Sequence, residues 1–164
     1  MLVLGLDPGI ARTGYGLVRR VGSRLSALGY GTVATPADLP LTERLLCIHR
    51  ALRRLVEEYR PEAVAVEELF FCRNARTAMA VGHARGVALL VAAEAGLAVA
   101  EYTPLQVKQA VVGYGRAEKR QVQEMVRVLL ALPCLPRPDD AADALAVAIC
   151  HAHSHNARLE VMRP

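Results

Sequence analysis

The chain has 164 residues, the size of one domain, and 53% hydrophobic against 22% charged residues is enough apolar matter to bury a core and exclude intrinsic disorder. A formal net charge of +4 favours polyanionic partners without demanding them, and only Lys108 and Lys119 among the 20 basic residues are Lys. The longest stretch of low polarity, Gly86 to Ala100, is broken by Glu94 and falls short of the ~20 apolar residues of a membrane-spanning helix. The amino terminus lacks the basic lead and small-residue cleavage site of a secretory signal, so a cytoplasmic location is expected. Cys47, Cys72, Cys134 and Cys150 form no C-x-x-C pair and are expected to be reduced, mostly buried thiols.

In chain order, Leu2 to Leu6, Tyr15 to Arg20 and Leu25 to Thr35 predict an opening meander of three strands. Pro36 to Pro40 breaks that pattern, and apolar residues from Leu45 to Val56 at helical spacing predict an amphipathic helix that stops before Pro61. Ala63 to Val66 is apolar at every position, as in a strand covered on both faces. Asn74 to Ala95 is rich in Ala, Gly and Val, a composition that lets a helix approach the sheet or another subunit closely. Val99 to Tyr102 is a further strand, Pro104 opens a helix through Val112, and Gly113-Tyr114-Gly115 separates it from a helix over about Ala117 to Leu132. Pro133 to Pro138 is a rigid connector before a last helix from Asp139 to about His151. The order β-β-β-α-β-α-β-α-α-α implies a single α/β domain with a mixed sheet, over 1–153, followed by a short, weakly ordered tail over 154–164.

Two carboxylates stand where buried strands end: Asp7 directly after the first, Glu67 directly after Ala63 to Val66. That edge of an α/β sheet is where ligands bind. The plainer readings are turn chemistry for Asp7-Pro8-Gly9 and a solvated strand end for Glu67, with Glu68 as its neighbour. In the last helix, Asp139 and Asp140 suit a first turn, whose free N–H groups favour acids. Asp143 is set among Ala141, Ala142, Ala144, Leu145, Ala146 and Val147, where a buried carboxylate needs a partner. Asp140 and Asp143, three apart, share a helix face. Together the four acids make an all-oxygen site suited to Mg²⁺ or Mn²⁺, and two such ions support phosphodiester hydrolysis.

Five blocks now carry a family resemblance: Gly5-Leu6-Asp7-Pro8-Gly9 with Thr13-Gly14-Tyr15-Gly16, Val66 to Phe71 with Arg73-Asn74-Ala75, Gln106 to Gln109, Ala117-Glu118-Lys119, and Asp140 to Ala146. Over Leu2 to about His151 the chain resembles the RuvC family of bacterial Holliday junction resolvases. The resemblance implies a ribonuclease H-like fold with a five-stranded sheet, a homodimer with two active sites, and action beside the RuvA and RuvB branch-migration proteins. It further implies paired, symmetrical, Mg²⁺-dependent nicks across a four-way DNA junction in recombination and repair, leaving 5′-phosphate and 3′-hydroxyl ends. Asp7, Glu67, Asp140 and Asp143 match its metal-binding catalytic carboxylates; where some members carry His in place of Asp140, this chain keeps an acid.

Phe70 and Phe71 beside Arg73 and Arg76 pair aromatic faces with positive charge, suited to stacking on unpaired bases, although either Phe can instead cover a core edge. Lys108 and Lys119 each fall in a matching block, where a point charge near a scissile phosphate has a use that a solvated helix face would not give it. His151, His153 and His155 are expected in a solvated segment, the last two without function. Rival readings are a ribonuclease H-like enzyme acting on pre-ribosomal RNA, which would lack the Phe pair and the Val-Lys-Gln block; an actin-like ATPase, which needs two such domains; and a junction-binding protein without catalysis, which has no reason to gather four acids near a polyanion.

Overall fold

The computed structural model describes residues 1–68 and 75–161, the side chains of 75–77 and 155–161 excepted. Phe70, Phe71 and Arg73 lie outside the described residues; Arg76 lies in a helix, but its side chain is likewise outside them. The elements follow the expected order: β1 (Leu2–Asp7), β2 (Arg12–Val21), β3 (Arg24–Ala34), α1 (Leu41–Tyr59), β4 (Ala63–Glu67), α2 (Ala75–Glu94), β5 (Ala98–Tyr102), α3 (Pro104–Val112), α4 (Lys119–Leu129) and α5 (Asp139–Val161).

One mixed sheet has the strand order β3-β2-β1-β4-β5. The meander β1-β2-β3 is antiparallel, while β4 runs parallel to both β1 and β5. Along β1 and β4 successive residues point to opposite faces. Leu2, Leu4 and Leu6 of β1 join Val64 and Val66 of β4 in a core with Ile48 and Leu52 of α1 and Ala84, Ala88 and Val91 of α2. Val3 and Ala65 face the other way, into a core with Leu145, Val147 and Ile149 of α5, Val107 of α3 and Val126 of α4. Three layers result, with β1 at the centre and α5 lying directly on it.

Local chemistry sets the helix ends. Thr103 and Gln106 cap α3 reciprocally, the Thr103 Oγ1 accepting from the Gln106 N–H at 3.2 Å and Gln106 Oε1 from the Thr103 N–H at 2.8 Å, with Pro104 in the first turn. Helix α4 is shorter than expected at both ends: Gln121 Oε1 accepts from the Glu118 N–H at 2.8 Å and starts it at Lys119, and Ala131 adopts a left-handed φ of 52° just beyond its end. Helix α5, expected to stop near His151, continues to Val161. His151 and His153 belong to its packed part rather than to a solvated segment: His151 Nδ1 meets the Tyr102 hydroxyl at 2.8 Å, and His153 Nδ1 the Ala110 carbonyl at 3.0 Å. The cysteines also depart from expectation. Cys150 is buried, but Cys47, on the outer side of α1, and Cys134, in the connector before α5, are exposed; all three are free thiols.

Candidate active site

The parallel pairing of β1 with β4 sets Leu6 opposite Val66. Asp7 and Glu67 are therefore neighbours at the carboxyl ends of the two innermost parallel strands. By alternation each shares the face of Val3 and Ala65, the face that α5 covers. The turn after Asp7 is held by Thr13, fully buried, whose hydroxyl donates to the Gly9 carbonyl at 2.8 Å.

Helix α5 reaches Asp7 because the sheet beneath it is stripped of side chains. A Cβ on Gly14 would lie 2.0 Å from the Asp140 carbonyl oxygen, one on Gly5 2.0 Å from that of Ala144, and one on Gly16 2.8 Å from Leu145. Only glycine permits this approach, and it lowers Asp140 and Asp143 onto the ends of β1 and β4.

The electrostatics record the crowding. Burial first, then the charges of Asp143, Asp140 and Glu67, push the Asp7 carboxyl up to about 7. Burial and Asp143 likewise raise Glu67 above the usual carboxylate range, opposed by Lys108 and Lys119. Burial raises Asp143, opposed by Lys119, whose Nζ donates to Asp143 Oδ2 at 2.9 Å. Burial works against the charge on Lys119, but that bond and the charge of Asp143 outweigh it and hold the ammonium above its ordinary value. Lys108, Lys119, Glu67 and Asp143 line one cleft of about 270 Å³, walled by Val107, Val122, Ala146 and Val147.

Asp139 lies at the margin of the site, its Oδ2 3.6 Å from Lys119 Nζ. It accepts from Gln123 Nε2 and Arg137 Nη1, each at 3.0 Å, and the Gln123 bond leads the effects that lower its carboxyl. Its work is to fasten the start of α5.

Asp7, Glu67, Asp140 and Asp143 gather at one edge of the sheet, near enough that burial and the three other charges together raise Asp7, and four carboxylates are the donor chemistry that suits a hard divalent cation. In the present arrangement no three His, Cys, Asp or Glu side chains among the described residues converge closely enough to hold an ion. Cationic side chains stand against two of the acids instead: Lys119 on Asp143, and Arg12 Nε at 3.6 Å from Asp140 Oδ2. Arg12 and the separate roles of Gly5, Gly14 and Gly16 emerge only once α5 is packed on the sheet. Alternate glycines on β2 and Ala141, Ala144 and Ala148 on α5 were the available signal for the close approach.

A mixed β3-β2-β1-β4-β5 sheet with acids at the ends of β1 and β4, completed from a helix laid across it, defines a ribonuclease H-like nuclease. Comparison with known proteins narrows the class. The family model described as crossover junction endodeoxyribonuclease RuvC matches residues 3–151. The enzyme of that name from Heliobacterium modesticaldum is 65% identical over 154 residues, 94% of this chain and 95% of the relative. That of Ruminiclostridium cellulolyticum is 56% identical over 155 residues, 94% and 93% of the two chains. Among solved structures, T. thermophilus RuvC in complex with Holliday junction substrate superposes with a TM-score of 0.92 at 43% identity, covering 96% of each chain. The yeast mitochondrial Holliday junction resolvase Ydc2, at 13% identity and a TM-score of 0.62 over 98% of this chain and 86% of its own, shares the fold. The chain belongs to the RuvC family, the crossover junction endodeoxyribonucleases that resolve Holliday junctions. No helix among the described residues is long and apolar enough to cross a membrane.

Proposed function

We propose that this chain cuts two opposed strands of a four-way DNA junction by Mg²⁺-dependent hydrolysis, with Asp7, Glu67, Asp140 and Asp143 as the metal-holding residues. The observation that carries the reading is the electrostatic coupling of Asp7 to Glu67, Asp140 and Asp143 at the ends of β1 and β4, beside a cleft that Glu67 and Asp143 line with Lys108 and Lys119. Bound there, a pair of Mg²⁺ ions, or Mn²⁺ in their place, would supply an activated water and stabilise the leaving oxygen. Lys108 and Lys119 hold the scissile phosphate in the cleft they line with Glu67 and Asp143. Arg73, Arg76, Phe70 and Phe71 follow Glu67 in the chain and supply phosphate contacts and base stacking at the opened junction centre.

Two nicks require two sites, and α2 offers the means. Met79 (65% exposed), His83, Gly86 and Leu90 (52% exposed) recur at helical spacing on its outer side. An isologous dimer through this face would match the near two-fold symmetry of a junction. In a bacterial cytoplasm the dimer would act beside the RuvA and RuvB branch-migration proteins.

The test is cleavage of a labelled mobile four-way junction beside duplex, single-stranded DNA and RNA, in Mg²⁺ and then EDTA, for wild type and Asp7→Asn. Paired, metal-dependent nicks in the junction alone, lost in the variant with binding retained, support the proposal. Preferential cutting of RNA would overturn it while keeping the fold.

A further inference from the structure

Helix α2 carries Arg85, whose side chain is only 12% exposed. One guanidinium nitrogen, Nη1, donates to the backbone carbonyl of Glu67 at 2.8 Å, and Nη2 pairs with the carboxylate of Glu101 on β5. On the other side of the same peptide group, the Glu68 N–H donates to the Tyr102 carbonyl at 2.8 Å. The peptide leaving Glu67 is thus gripped at both its oxygen and its nitrogen, from a helix and from the neighbouring strand.

Direction matters here. Val64 and Val66 of β4 and Val99 of β5 face the α1/α2 layer, and Glu101, two residues beyond Val99, faces it too. The Glu67 carboxylate points to the opposite layer, toward Asp143. Arg85 therefore approaches Glu67 from behind and never meets the cleft. It can act on the chemistry only by fixing the backbone from which the carboxylate projects. A strand end carrying an acid among other acids relieves repulsion by fraying, and a doubly held peptide prevents it.

We propose that Arg85, braced by Glu101, is a positioning residue that holds Glu67 in metal-binding register from the helix opposite the cleft. The proposal rests on the reading of Glu67 as a metal-holding residue. It also places a rigid link between that acid and α2, the helix whose outer face the dimer would bury. An outer partner of this kind changes metal affinity or activity by about 10–100-fold when removed from known metal sites.

The experiment uses the full chain with Arg85→Ala, Arg85→Lys and Glu101→Gln. Mn²⁺ binding to the DNA-free protein is measured by calorimetry, and junction cleavage is followed across a Mg²⁺ titration. Arg85→Ala should weaken Mn²⁺ binding and raise the half-activating Mg²⁺ concentration by about tenfold or more, with junction binding in Ca²⁺ retained. Arg85→Lys should recover part of the loss, since one ammonium cannot serve both acceptors in a fixed fork. Glu101→Gln should shift both readings the same way by less. If Arg85→Ala fails to fold, Glu101→Gln, at an exposed position, decides. Unchanged Mn²⁺ affinity and Mg²⁺ dependence in the folded variants would overturn the proposal. A wild-type chain that binds Mn²⁺ but leaves the junction intact would instead overturn the proposed activity, with the Mn²⁺ isotherms still deciding Arg85.

Discussion

Replacing Asp7 by Asn should abolish cleavage and, in the absence of metal, make the protein more stable. Burial and three neighbouring acids raise the Asp7 carboxyl from 3.8 to about 7 in the folded chain. A folded value above the unfolded one means that the native state binds the proton more tightly. The stability this contributes is fully present below pH ~4 and is lost as pH rises through about 7. A displacement of about three units corresponds to ~4 kcal/mol as an upper limit, at ~1.36 kcal/mol per unit. Asparagine keeps the shape without the charge, so a gain of about 1–3 kcal/mol at pH 8 is expected, the remainder being lost to local relaxation. Urea unfolding in EDTA at fixed protein concentration, at several pH values from 4 to 8, measures it. Wild type should weaken across that interval, and the variant less so, because Glu67 and Asp143 are raised in the same direction. Added Mg²⁺ should restore wild type and do little for the variant. An Asp7→Asn protein that is less stable than wild type at pH 8 in EDTA would refute the electrostatic reasoning.

Gly14→Ala introduces a Cβ 2.0 Å from the Asp140 carbonyl oxygen, so α5 must rise; overpacking should cost about 1–3 kcal/mol in thermal unfolding, and a shift near 1 Å at the acids about 10²-fold in cleavage rate. Retention of full activity would show that the glycine track is not what seats the helix. Lys119→Ala removes the ammonium bonded to Asp143 and should lower cleavage far more than junction binding, read by single-turnover kinetics beside gel-shift titration. Leu90→Glu places a charge on the exposed face of α2 and should turn the proposed dimer into a monomer in analytical ultracentrifugation, uncoupling the two nicks; an unaltered dimer would move the interface elsewhere.

The meander, the α/β alternation and the acids at the ends of β1 and β4 were legible because each depends on residues close in sequence. Leu2 to Leu6 and Ala63 to Val66 announce buried strands, and an acid directly after each can lie only at the strand's end. What stayed hidden depends on which layer faces which. The need for glycine at positions 14 and 16 shows only when α5 is laid across them at contact distance. Nothing local in sequence singles out Arg85, because its acceptors, a main-chain oxygen on β4 and a carboxylate on β5, lie 18 and 16 positions away. His151 and His153 suggest a solvated segment in sequence because the Tyr102 hydroxyl and the Ala110 carbonyl that hold them come from β5 and α3. Cys47 and Cys134 show the converse error, a rule for a residue type applied where the outer face of a helix and a connector prevail.

The layering of α5 over β1 joins Asp7, near the start of the chain, to Asp140 and Asp143, near its far end. A polypeptide emerging from the ribosome therefore displays Asp7 and Glu67 long before it can complete the quartet. Until the last helix is released and settles on the glycines of β1 and β2, the proposed quartet is not assembled. On the proposed site, a product cut short before α5 would lack half of the quartet, so the seam between first strand and last helix makes the site a property of the whole fold.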